Sequence, residues 1–276
     1  MSQKLYFKDK VIVITGASSG IGKALAFEAA KQGADVVIAA RNFEELKKIA
    51  KQINETGARC LPVKTDVTKR EDAENLTNRT LEKFGKIDIL INNAGISMRA
   101  MFDVLDLDVF EKVMNINFMG TVYCTRFAIP HILEQKGSVV GVSSISGFTP
   151  LPARTAYAAS KHAMRGFLTT LRIENVKRGL HVLITHPGFT ESNIRKHALL
   201  ADGSEQGQEP RANNRMMTAD AVAVLILKAI RKRKREQVFD WMGKVSWITH
   251  KFFPWWTHKT MYKGIAKEPD SPLPKW

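Results

Sequence analysis

The stretch KVIVITGASSGIG, residues 10–22, runs from an apolar segment directly into three closely spaced glycines. The apolar part is typical of a strand that is buried on both faces of a parallel sheet. Gly16 permits a tight turn, Gly20 lets the backbone approach a ligand, and Gly22 lets the next helix pack on the strand. Because free N–H groups and the positive end of the helix dipole meet at this turn, it predicts a pyrophosphate-binding site.

The same change from strand to helix repeats along the chain. Short β-branched runs alternate with segments of helical periodicity, which is typical of βαβ units and a parallel sheet. We therefore predict a three-layer α/β/α Rossmann fold with a doubly wound, mostly parallel sheet of about seven strands. The predicted strands and helices are, in chain order, KVIVIT, 21–32, ADVVIAA, 43–55, RCLPVK, 70–84, IDILI, 106–129, GSVVGVSS, 156–178, HVLIT and 219–232.

The length of 276 residues, with 44% hydrophobic and 25% charged residues, suits one large globular domain. No apolar run reaches the roughly eighteen residues of a membrane-spanning helix. Residues 1–10 lack the apolar centre of a signal peptide, so we expect a cytoplasmic protein. Cys60 and Cys124 are expected to be buried and unpaired. The seven histidines show no metal-ligand spacing, so we predict no metal site.

An arginine follows the second predicted strand. NAD sites of this fold usually have Asp or Glu at that position, where the carboxylate binds the ribose hydroxyls. The chain has Arg41 there, followed by Asn42. A guanidinium can bind the 2′-phosphate of NADP, which a carboxylate would repel. Arg41 therefore predicts NADP (NADPH) as the cofactor, and the alternative is an exposed arginine at the start of the next helix.

A tyrosine and a lysine one helical turn apart form the predicted catalytic pair. In the segment YAASK, the side chains of Tyr157 and Lys161 lie on the same face of a helix. A phenol with its ordinary pKa near 10 is a poor acid-base catalyst at neutral pH. A nearby cation stabilises the phenolate and lowers this pKa. Ser144, at the end of a buried strand, is placed to hold the substrate oxygen that the phenol protonates.

Several motifs occur in an order and spacing that resemble the short-chain dehydrogenase/reductase family, over about residues 8–240. The resemblance implies that Tyr157 is the acid/base, that Lys161 binds the nicotinamide ribose and lowers the tyrosine pKa, and that Ser144 orients the carbonyl. It also implies that Asn117, rather than Asn115, holds a water that links the lysine to solvent. The motifs are TGASSGIG at 15–22, NNAG at 92–95, NINFMG at 115–120, Ser144, YAASK at 157–161 and Pro187-Gly188.

The resemblance also implies contacts along the whole cofactor. The structural alternatives are that Asn92 and Asn93 only satisfy backbone groups at a strand end and that Asp66 caps the next helix. The implied contacts are with the adenine (Asp66, Val67), the adenosine ribose (Asn93, Ala94) and the carboxamide (Thr190, Ser192). The full predicted set of cofactor-binding residues is Gly16, Ser18, Ser19, Gly20, Ile21, Gly22, Arg41, Asp66, Val67, Asn93, Ala94, Gly95, Tyr157, Lys161, Pro187, Gly188, Thr190 and Ser192.

Basic and aromatic residues are concentrated near the C-terminus. The net charge of +15 implies attraction to an anionic partner. The basic run 231–235 ends a predicted helix, where cations are favoured, so nucleic acid is not expected as a partner. The segment WMGKVSWITHKFFPWWTHK, residues 241–259, interleaves Trp, Phe and Lys as interfacial membrane segments do. The alternatives are a tail that covers the substrate cleft or one that lies in an oligomer interface.

The chain is expected to divide into a catalytic domain, residues 1–240, and a basic aromatic tail, residues 241–276. The polar segment 189–217 is longer than an ordinary connection and is predicted to be a substrate lid, or else a segment without function. The phrase SKHAMRGF at 160–167 and the tail most resemble the branch of 11-beta-hydroxysteroid dehydrogenases. That resemblance implies a steroid, keto-lipid or other lipophilic substrate, and a homodimer or homotetramer.

These features together predict an enzyme. The expected reaction is the transfer of a hydride between NADPH and a carbonyl or hydroxyl group of a lipophilic small molecule. Two alternatives come from other classes of protein: a catalytically silent NADP-binding regulator and a peripheral lipid-binding protein. A regulator of this kind usually lacks one of the four catalytic residues, and this chain has all four.

Overall fold

Seven strands form one sheet in which every neighbouring pair is parallel. They are β1 (Val11–Thr15), β2 (Asp35–Ala40), β3 (Cys60–Lys64), β4 (Ile89–Asn92), β5 (Ser138–Val142), β6 (His181–His186) and β7 (Glu236–Val238). Their order across the sheet is β3-β2-β1-β4-β5-β6-β7, which confirms the predicted doubly wound fold. The computed structural model describes residues 5–191, 194–207, 216–268 and 270–274.

Helices cover both faces of the sheet. In the described part of the chain they are α1 (Gly20–Lys31), α2 (Phe43–Glu55), α3 (Arg70–Phe84), α4 (Leu107–Met114), α5 (Gly120–Glu134), α6 (Thr155–Glu174), α7 (Ala219–Arg231), α8 (Trp241–Phe252) and α9 (Pro254–Ala266). One face of the sheet packs against α1, α2 and α7, and the other packs against α3, α5 and α6.

The central strand β1 sets the position of the ligand site. It pairs with β2 on one side and with β4 on the other. Ile12 and Ile14 pack into the core on the α1 side, whereas Val11 and Val13 pack into the core on the α3 side. Because the strand order reverses at β1, the carboxyl ends of β1 and β4 border a crevice, which is the usual ligand site of such a sheet.

The helix predicted at 106–129 is divided and extends further than expected. It consists of α4, a π-helical turn (Asn115–Met119) and α5. Pro130 lies inside α5 and does not end it. The proline is exposed, so the carbonyl group that it leaves without an N–H partner is on the solvent side of the helix. Buried Ile132 anchors the last turn to the core.

The end of one helix and the presence of one strand also differ from the prediction. The helix predicted at 156–178 ends at Glu174, and a short 3₁₀ turn, Val176–Arg178, follows it. The strand β7 was not among the predicted segments. It has three residues, lies at the sheet edge directly after the basic run 231–235, and is buried at one residue only. A short, partly exposed edge strand has little apolar pattern to mark it.

The C-terminal helices α8 and α9 pack against each other, and α8 also contacts β7 and the short turn Ile145–Gly147. The ring of Trp247 stacks on Phe148 with centroids 5.4 Å apart. Further along, Glu268 Oε2 lies 3.4 Å from Arg99 Nη2. Of the alternatives for the tail, the structure therefore shows the one in which it covers the cleft. In the part of the chain that the structure describes, no helix is both long and apolar enough to cross a bilayer.

The described part of the predicted lid packs next to the loop after β4. Arg99 N donates to Leu199 O at 2.8 Å, and Leu199 N donates to Ser97 O at 3.0 Å. Residues 194–207 thus run beside the cleft as a wall. The prediction that 189–217 acts as a lid includes residues 192–193 and 208–215, which lie outside the described residues.

Candidate active site

The glycine turn after β1 is fixed by hydrogen bonds to the end of β4. Asn93 Nδ2 donates to Thr15 O at 2.9 Å and to Gly16 O at 3.1 Å. Thr15 Oγ1 accepts from the backbone N–H groups of Asn93 and Ala94, both at 3.1 Å. Gly16 has a φ of +66°, and a Cβ there would lie 2.7 Å from Ala94 Cα. Position 16 therefore needs glycine. The Asn93 side chain binds backbone carbonyl groups, which is the structural role given above as the alternative to cofactor binding.

A groove of about 750 Å³ lies over this turn. Arg41 is exposed at the groove wall. Asp66 Oδ1 accepts from the backbone N and the Oγ1 of Thr68, at 3.0 and 2.8 Å, so this carboxylate also holds its own turn. Gly22 lies behind the groove, where a Cβ would be 2.3 Å from Gly16 O. The predicted cofactor residues that line the groove are Gly16, Ser18, Ser19, Gly20, Ile21, Arg41, Asp66, Val67, Asn93, Ala94 and Gly95.

A second cavity, of about 430 Å³, continues from the groove toward the ends of β5 and β6. The two spaces share the wall residues Ile21, Asn93, Gly95 and Ile194. The predicted site residues that line the second cavity are Ser144, Tyr157, Lys161, Pro187, Gly188 and Thr190. The groove thus opens directly to the side chains that the sequence predicts to be catalytic.

Lys161 lies buried on α6, one turn after Tyr157. Its Nζ donates to Val142 O at 2.9 Å and lies 5.7 Å from the centre of the Tyr157 ring. Burial lowers the pKa of Lys161 to about 8. A Cβ at Gly95 would lie 3.4 Å from Lys161 Nζ, so the absence of a side chain at Gly95 leaves the ammonium reachable from the groove.

Asn117 connects this lysine's surroundings to the loop after β4. It lies in the π-helical turn, a feature that often marks functional sites. Its Oδ1 accepts from Ile96 N at 2.8 Å, and its Nδ2 donates to Ile96 O at 3.0 Å and to Ser160 Oγ at 2.9 Å. The amide oxygen and the amide nitrogen of Asn117 therefore both form hydrogen bonds, and these bonds hold Ile96 next to α6. The role of Asn117 in holding a water stays a prediction.

Tyr157 reaches the cavity together with Ser144. Burial raises the pKa of the Tyr157 hydroxyl, and a side-chain hydrogen bond with Ser144 opposes this effect. The positive charges of Arg154 and Arg195 also lower the pKa of Tyr157. Ser144 Oγ in turn accepts from Ser146 N at 3.2 Å, which orients the serine at the end of β5. The two hydroxyl groups are thus placed to act on the same substrate atom.

The two arginines are residues that sequence reasoning missed. Arg154 and Arg195 both line the cavity and are both buried. The only signal for Arg154 is a basic residue in the apolar segment before Tyr157, LPAR at 151–154. Arg195 lies in the polar segment 189–217, where a basic residue is unremarkable in sequence.

The sequence also did not show which residues of the tail line the cavity. One face of α8 and one face of α9 form a wall opposite Tyr157. Most of the side chains on this wall are apolar or hydroxylic, so the cavity suits a largely apolar ligand. They are Trp241, Met242, Val245, Ser246, Thr249, Trp256, Thr257, Thr260, Met261, Gly264 and Ile265.

The loop after β6 brings further predicted residues to the cavity. Thr190 is buried, and its Oγ1 donates to Gly188 O at 3.2 Å. A Cβ at Gly188 would lie 2.7 Å from the Asp240 carboxylate, so this glycine lets the start of α8 approach the loop. Ser192, the other residue predicted to contact the carboxamide, lies outside the described residues.

The two cysteines are buried and unpaired. Burial raises the pKa of both thiols, Cys60 and Cys124, to about 12. Neither thiol is therefore a reactive nucleophile at neutral pH. Among the residues described, no group of three or more His, Cys, Asp or Glu side chains could hold a metal ion.

Comparisons with known proteins agree with this geometry. The family model described as short chain dehydrogenase matches residues 10–202. The 11-beta-hydroxysteroid dehydrogenase A of Sesamum indicum is 35% identical over 272 residues, which is 95% of this chain and 78% of that protein. Dehydrogenase/reductase SDR family member 7 of Homo sapiens is 34% identical over 265 residues, 92% of this chain and 78% of that protein. A short chain dehydrogenase/reductase from Burkholderia phymatum, solved in complex with NAD, superposes with a TM-score of 0.79 at 26% identity, over 89% of this chain and 94% of that one.

Proposed function

Because the chain belongs to the short-chain dehydrogenase family, we propose that it transfers a hydride between NADPH and the carbonyl or hydroxyl carbon of a lipophilic substrate. Membership confirms the resemblance found in the sequence, and the chain is an oxidoreductase. The observation that supports the finer proposal is a single cavity in which Ser144, Tyr157 and Lys161 meet largely apolar walls.

The residues of the groove fit a dinucleotide. The turn at Gly16 has no room for a side chain, and backbone N–H groups at the start of α1 point to a position where phosphate would bind. Strand β2 ends in two alanines, and Arg41 follows them at the groove wall. The positive side chain at this point supports NADP over NAD, because it pairs with a 2′-phosphate.

Each of the proposed catalytic residues has a separate role in the reduction of a carbonyl group. A bound nicotinamide supplies the hydride to the carbonyl carbon, so that the alcohol and the oxidised cofactor are the products. Ser144 and Tyr157 bind the carbonyl oxygen through their hydroxyl groups, and Tyr157 donates its proton to that oxygen. Lys161 remains charged below a pH of about 8. Its ammonium stabilises the phenolate form of Tyr157 after the proton has been donated. Oxidation of an alcohol follows the same steps in reverse.

The first test is oxidation of NADPH and NADH by the purified protein. A panel of ketosteroids, long-chain 3-keto lipids, retinaldehyde and small aromatic ketones covers the lipophilic carbonyl classes. We expect NADPH-dependent turnover of at least one lipophilic member and a loss of about a hundredfold or more in Tyr157→Phe, which keeps the ring but has no proton to donate. Tight NADPH binding without any turnover would instead support the silent regulator.

We also propose that the protein forms a homodimer or homotetramer through α6. The outward side of this helix exposes Ala159, His162 and Gly166. A Cβ at Gly166 would meet no atom within 4 Å. Small residues on an exposed helix face let a second helix approach closely.

A peripheral contact with an anionic membrane is a further proposal, and the outer side of the tail supports it. Phe252 and Trp255 are 64% and 72% exposed. Lys251 and Lys259 lie over the rings of Phe252 and Trp255, at 5.6 and 5.1 Å. Exposed aromatic rings with adjacent cations are typical of surfaces that bind anionic lipid.

A further inference from the structure

A histidine that the proposed chemistry does not use contacts the backbone of Ser144. His186 is the last residue of β6, and its side chain is fully buried. Its Nδ1 lies 3.0 Å from Ser144 O. Because a carbonyl oxygen can only accept, Nδ1 carries the hydrogen of this bond. His186 therefore donates to the backbone of the serine whose hydroxyl reaches Tyr157.

The backbone around Ser144 is also bonded to the end of β6. The residues before and after Ser144 donate through their N–H groups to the carbonyl groups before and after His186, at 2.9 and 3.3 Å. The carbonyl of Ser144 itself accepts from Gly147 N at 2.9 Å and from the His186 side chain. Backbone bonds do not depend on the side chains, whereas the bond from His186 does. The two pairs beside Ser144 are Ser143 N with Thr185 O and Ile145 N with Pro187 O.

The ring of His186 packs against two aromatic rings. Phe148 meets it edge to face with the centroids 5.0 Å apart, and the centroid of Trp247 lies 6.1 Å away. An apolar ring could fill the same space, and it would avoid the cost of burying two ring nitrogens. Such a ring could not donate to Ser144 O. The imidazole therefore supplies a hydrogen bond here in addition to packing.

A carboxylate faces the other nitrogen of the ring. Nε2 of His186 is sealed from solvent, has no hydrogen-bond partner within the described residues, and lies 3.7 Å from Glu236 Oε1. The same oxygen accepts from Arg165 Nε at 2.8 Å. Arg165 lies on α6, about two turns after Tyr157. Glu236 thus joins the helix that carries Tyr157 to the histidine that contacts Ser144.

The position of the Ser144 hydroxyl affects the acidity of Tyr157. Burial raises the pKa of Tyr157, and the hydrogen bond with Ser144 lowers it. If Ser144 moved away, this lowering would be lost and the phenolate would form at a higher pH. The charges of Arg154 and Arg195 also lower the pKa, and a substitution at position 186 leaves these charges in place. The ionisation of Tyr157 therefore reports on the position of Ser144.

We propose that His186 is a positioning residue for the reaction: it donates to the carbonyl of Ser144 and thereby keeps the Ser144 hydroxyl at Tyr157. Glu236 sets the orientation of the imidazole from the opposite side. His186 is not among the residues that line the cavity, so it acts through Ser144 and not on the substrate. The inference rests on the proposed function, in which Ser144 and Tyr157 bind the same substrate oxygen.

The ionisation of Tyr157 tests the proposal without a substrate. The ultraviolet absorbance of tyrosinate is followed against pH in the full chain, and the same titration in a Tyr157→Phe background is subtracted. We expect His186→Phe, which keeps an aromatic ring but has no donor, to shift this ionisation to higher pH, as Ser144→Ala does. His186→Asn, whose amide nitrogen can replace Nδ1 as the donor, should restore the wild-type curve. An ionisation that is unchanged in His186→Phe, or shifted equally in His186→Asn, would overturn the proposal.

A second histidine of the same strand provides the matched control. His181 begins β6 and is buried as well. Its ring nitrogens contact Ser138 Oγ at 2.9 Å and Lys234 O at 2.8 Å, at the opposite end of the strand. His181→Phe also removes side-chain hydrogen bonds from β6 and should leave the ionisation of Tyr157 unchanged. A shift as large as that in His186→Phe would indicate a general loosening of the fold and would contradict a specific role of His186.

Steady-state kinetics measure the effect on the reaction. With NADPH and a carbonyl compound that the wild-type protein reduces, we expect His186→Phe to lower kcat about tenfold and to leave the KM for NADPH unchanged. His186→Asn should recover most of this loss. In a Ser144→Ala background, His186→Phe should lower kcat no further, because a positioning residue acts through the serine. A further loss of about tenfold in that background contradicts the inference.

The two kinds of measurement separate this inference from the proposed function. If no carbonyl compound is reduced while the ionisation of Tyr157 shifts as expected, only the proposed function is contradicted. If reduction occurs and His186→Phe retains the wild-type kcat, only the inference is contradicted. If His186→Phe has a strongly lowered Tm, the smaller variant His186→Leu takes its place in both measurements.

Discussion

Arg41 lies at the wall of the groove, at the end where the adenosine part of a dinucleotide would bind. We expect Arg41→Asp to lower the ratio of kcat/KM for NADPH to that for NADH about a hundredfold or more, because repulsion replaces a charge-assisted pair. Steady-state kinetics with both cofactors measure this ratio. Arg79→Asp changes the charge equally on exposed α3 and should leave the ratio as it is. An unchanged ratio in Arg41→Asp would show that another residue selects the cofactor.

The residues of the site differ in how well the sequence predicts them. Tyr157 and Lys161 are related by one helical turn, and Ser144 ends a strand, so local patterns were enough to single them out. Arg154 and Arg195 reach the cavity from two separate segments. No short-range pattern relates them, because their common position depends on how the lid segment and α6 pack in the folded chain.

At the scale of elements, the edge strand β7 is tied to α6 by one carboxylate. Glu236 Oε1 accepts from Arg165 Nε at 2.8 Å and lies 3.7 Å from His186 Nε2. Burial alone would raise the pKa of Glu236, but the nearby His186 and the Arg165 hydrogen bond outweigh it and bring the pKa from 4.5 to about 2. The contribution of this carboxylate to stability is therefore present above a pH of about 4.5 and is lost as the pH falls toward 2.

The lowered pKa of Glu236 predicts how the stability of the protein depends on pH. We expect Glu236→Gln to lower the free energy of unfolding at pH 7 by about 1 to 2 kcal/mol, and the difference from wild type to shrink as the pH falls toward 2. Urea unfolding at a series of pH values measures both effects. Glu44→Gln, at an exposed carboxylate on α2 that pairs with Lys47, should change little. A difference in the free energy of unfolding between wild type and Glu236→Gln that stays constant down to pH 2 would contradict the lowered pKa of Glu236.

The elements themselves were predictable where burial is extensive. Strands β1, β2, β4, β5 and β6 are largely buried and alternate with helices, so their apolar runs were visible in the sequence. The predicted elements did not include β7, which is too short to show a pattern, or the π-helical turn, which has no pattern of its own. They also did not include α8 and α9 in the tail. The extent of α5 past Pro130 depends on buried Ile132, and burial of this kind is a tertiary effect.

At the scale of the whole molecule, the aromatic outer side of the tail predicts binding to lipid. We expect the protein to float with vesicles that contain phosphatidylglycerol, to float less at high salt, and to stay unbound with pure phosphatidylcholine. The double variant Phe252→Gln, Trp255→Gln should remain in solution. Ile173→Gln removes an equally exposed apolar side chain on α6 and should float like wild type. Absence of flotation of the wild-type protein with phosphatidylglycerol vesicles would exclude the membrane contact.

The fate of the tail shows what sequence reasoning leaves open. Its composition indicated a surface of a different kind but allowed a cleft cover, a membrane segment and an oligomer interface. The choice depends on contacts such as Trp247 with Phe148 and Glu268 with Arg99, which join segments far apart in the chain. One side of α8 and α9 covers the cleft, and the other side remains exposed.

The division of the cavity between α6 and the tail also has an evolutionary consequence. The residues that we propose for proton transfer, Ser144, Tyr157 and Lys161, lie within the stretch that the family model matches, residues 10–202, whereas α8 and α9 follow it. Mutations in the last two helices can therefore remodel what the enzyme accepts and leave its reaction intact. Selection for a new substrate and selection for turnover then act on different stretches of the chain, so each can proceed without undoing the other.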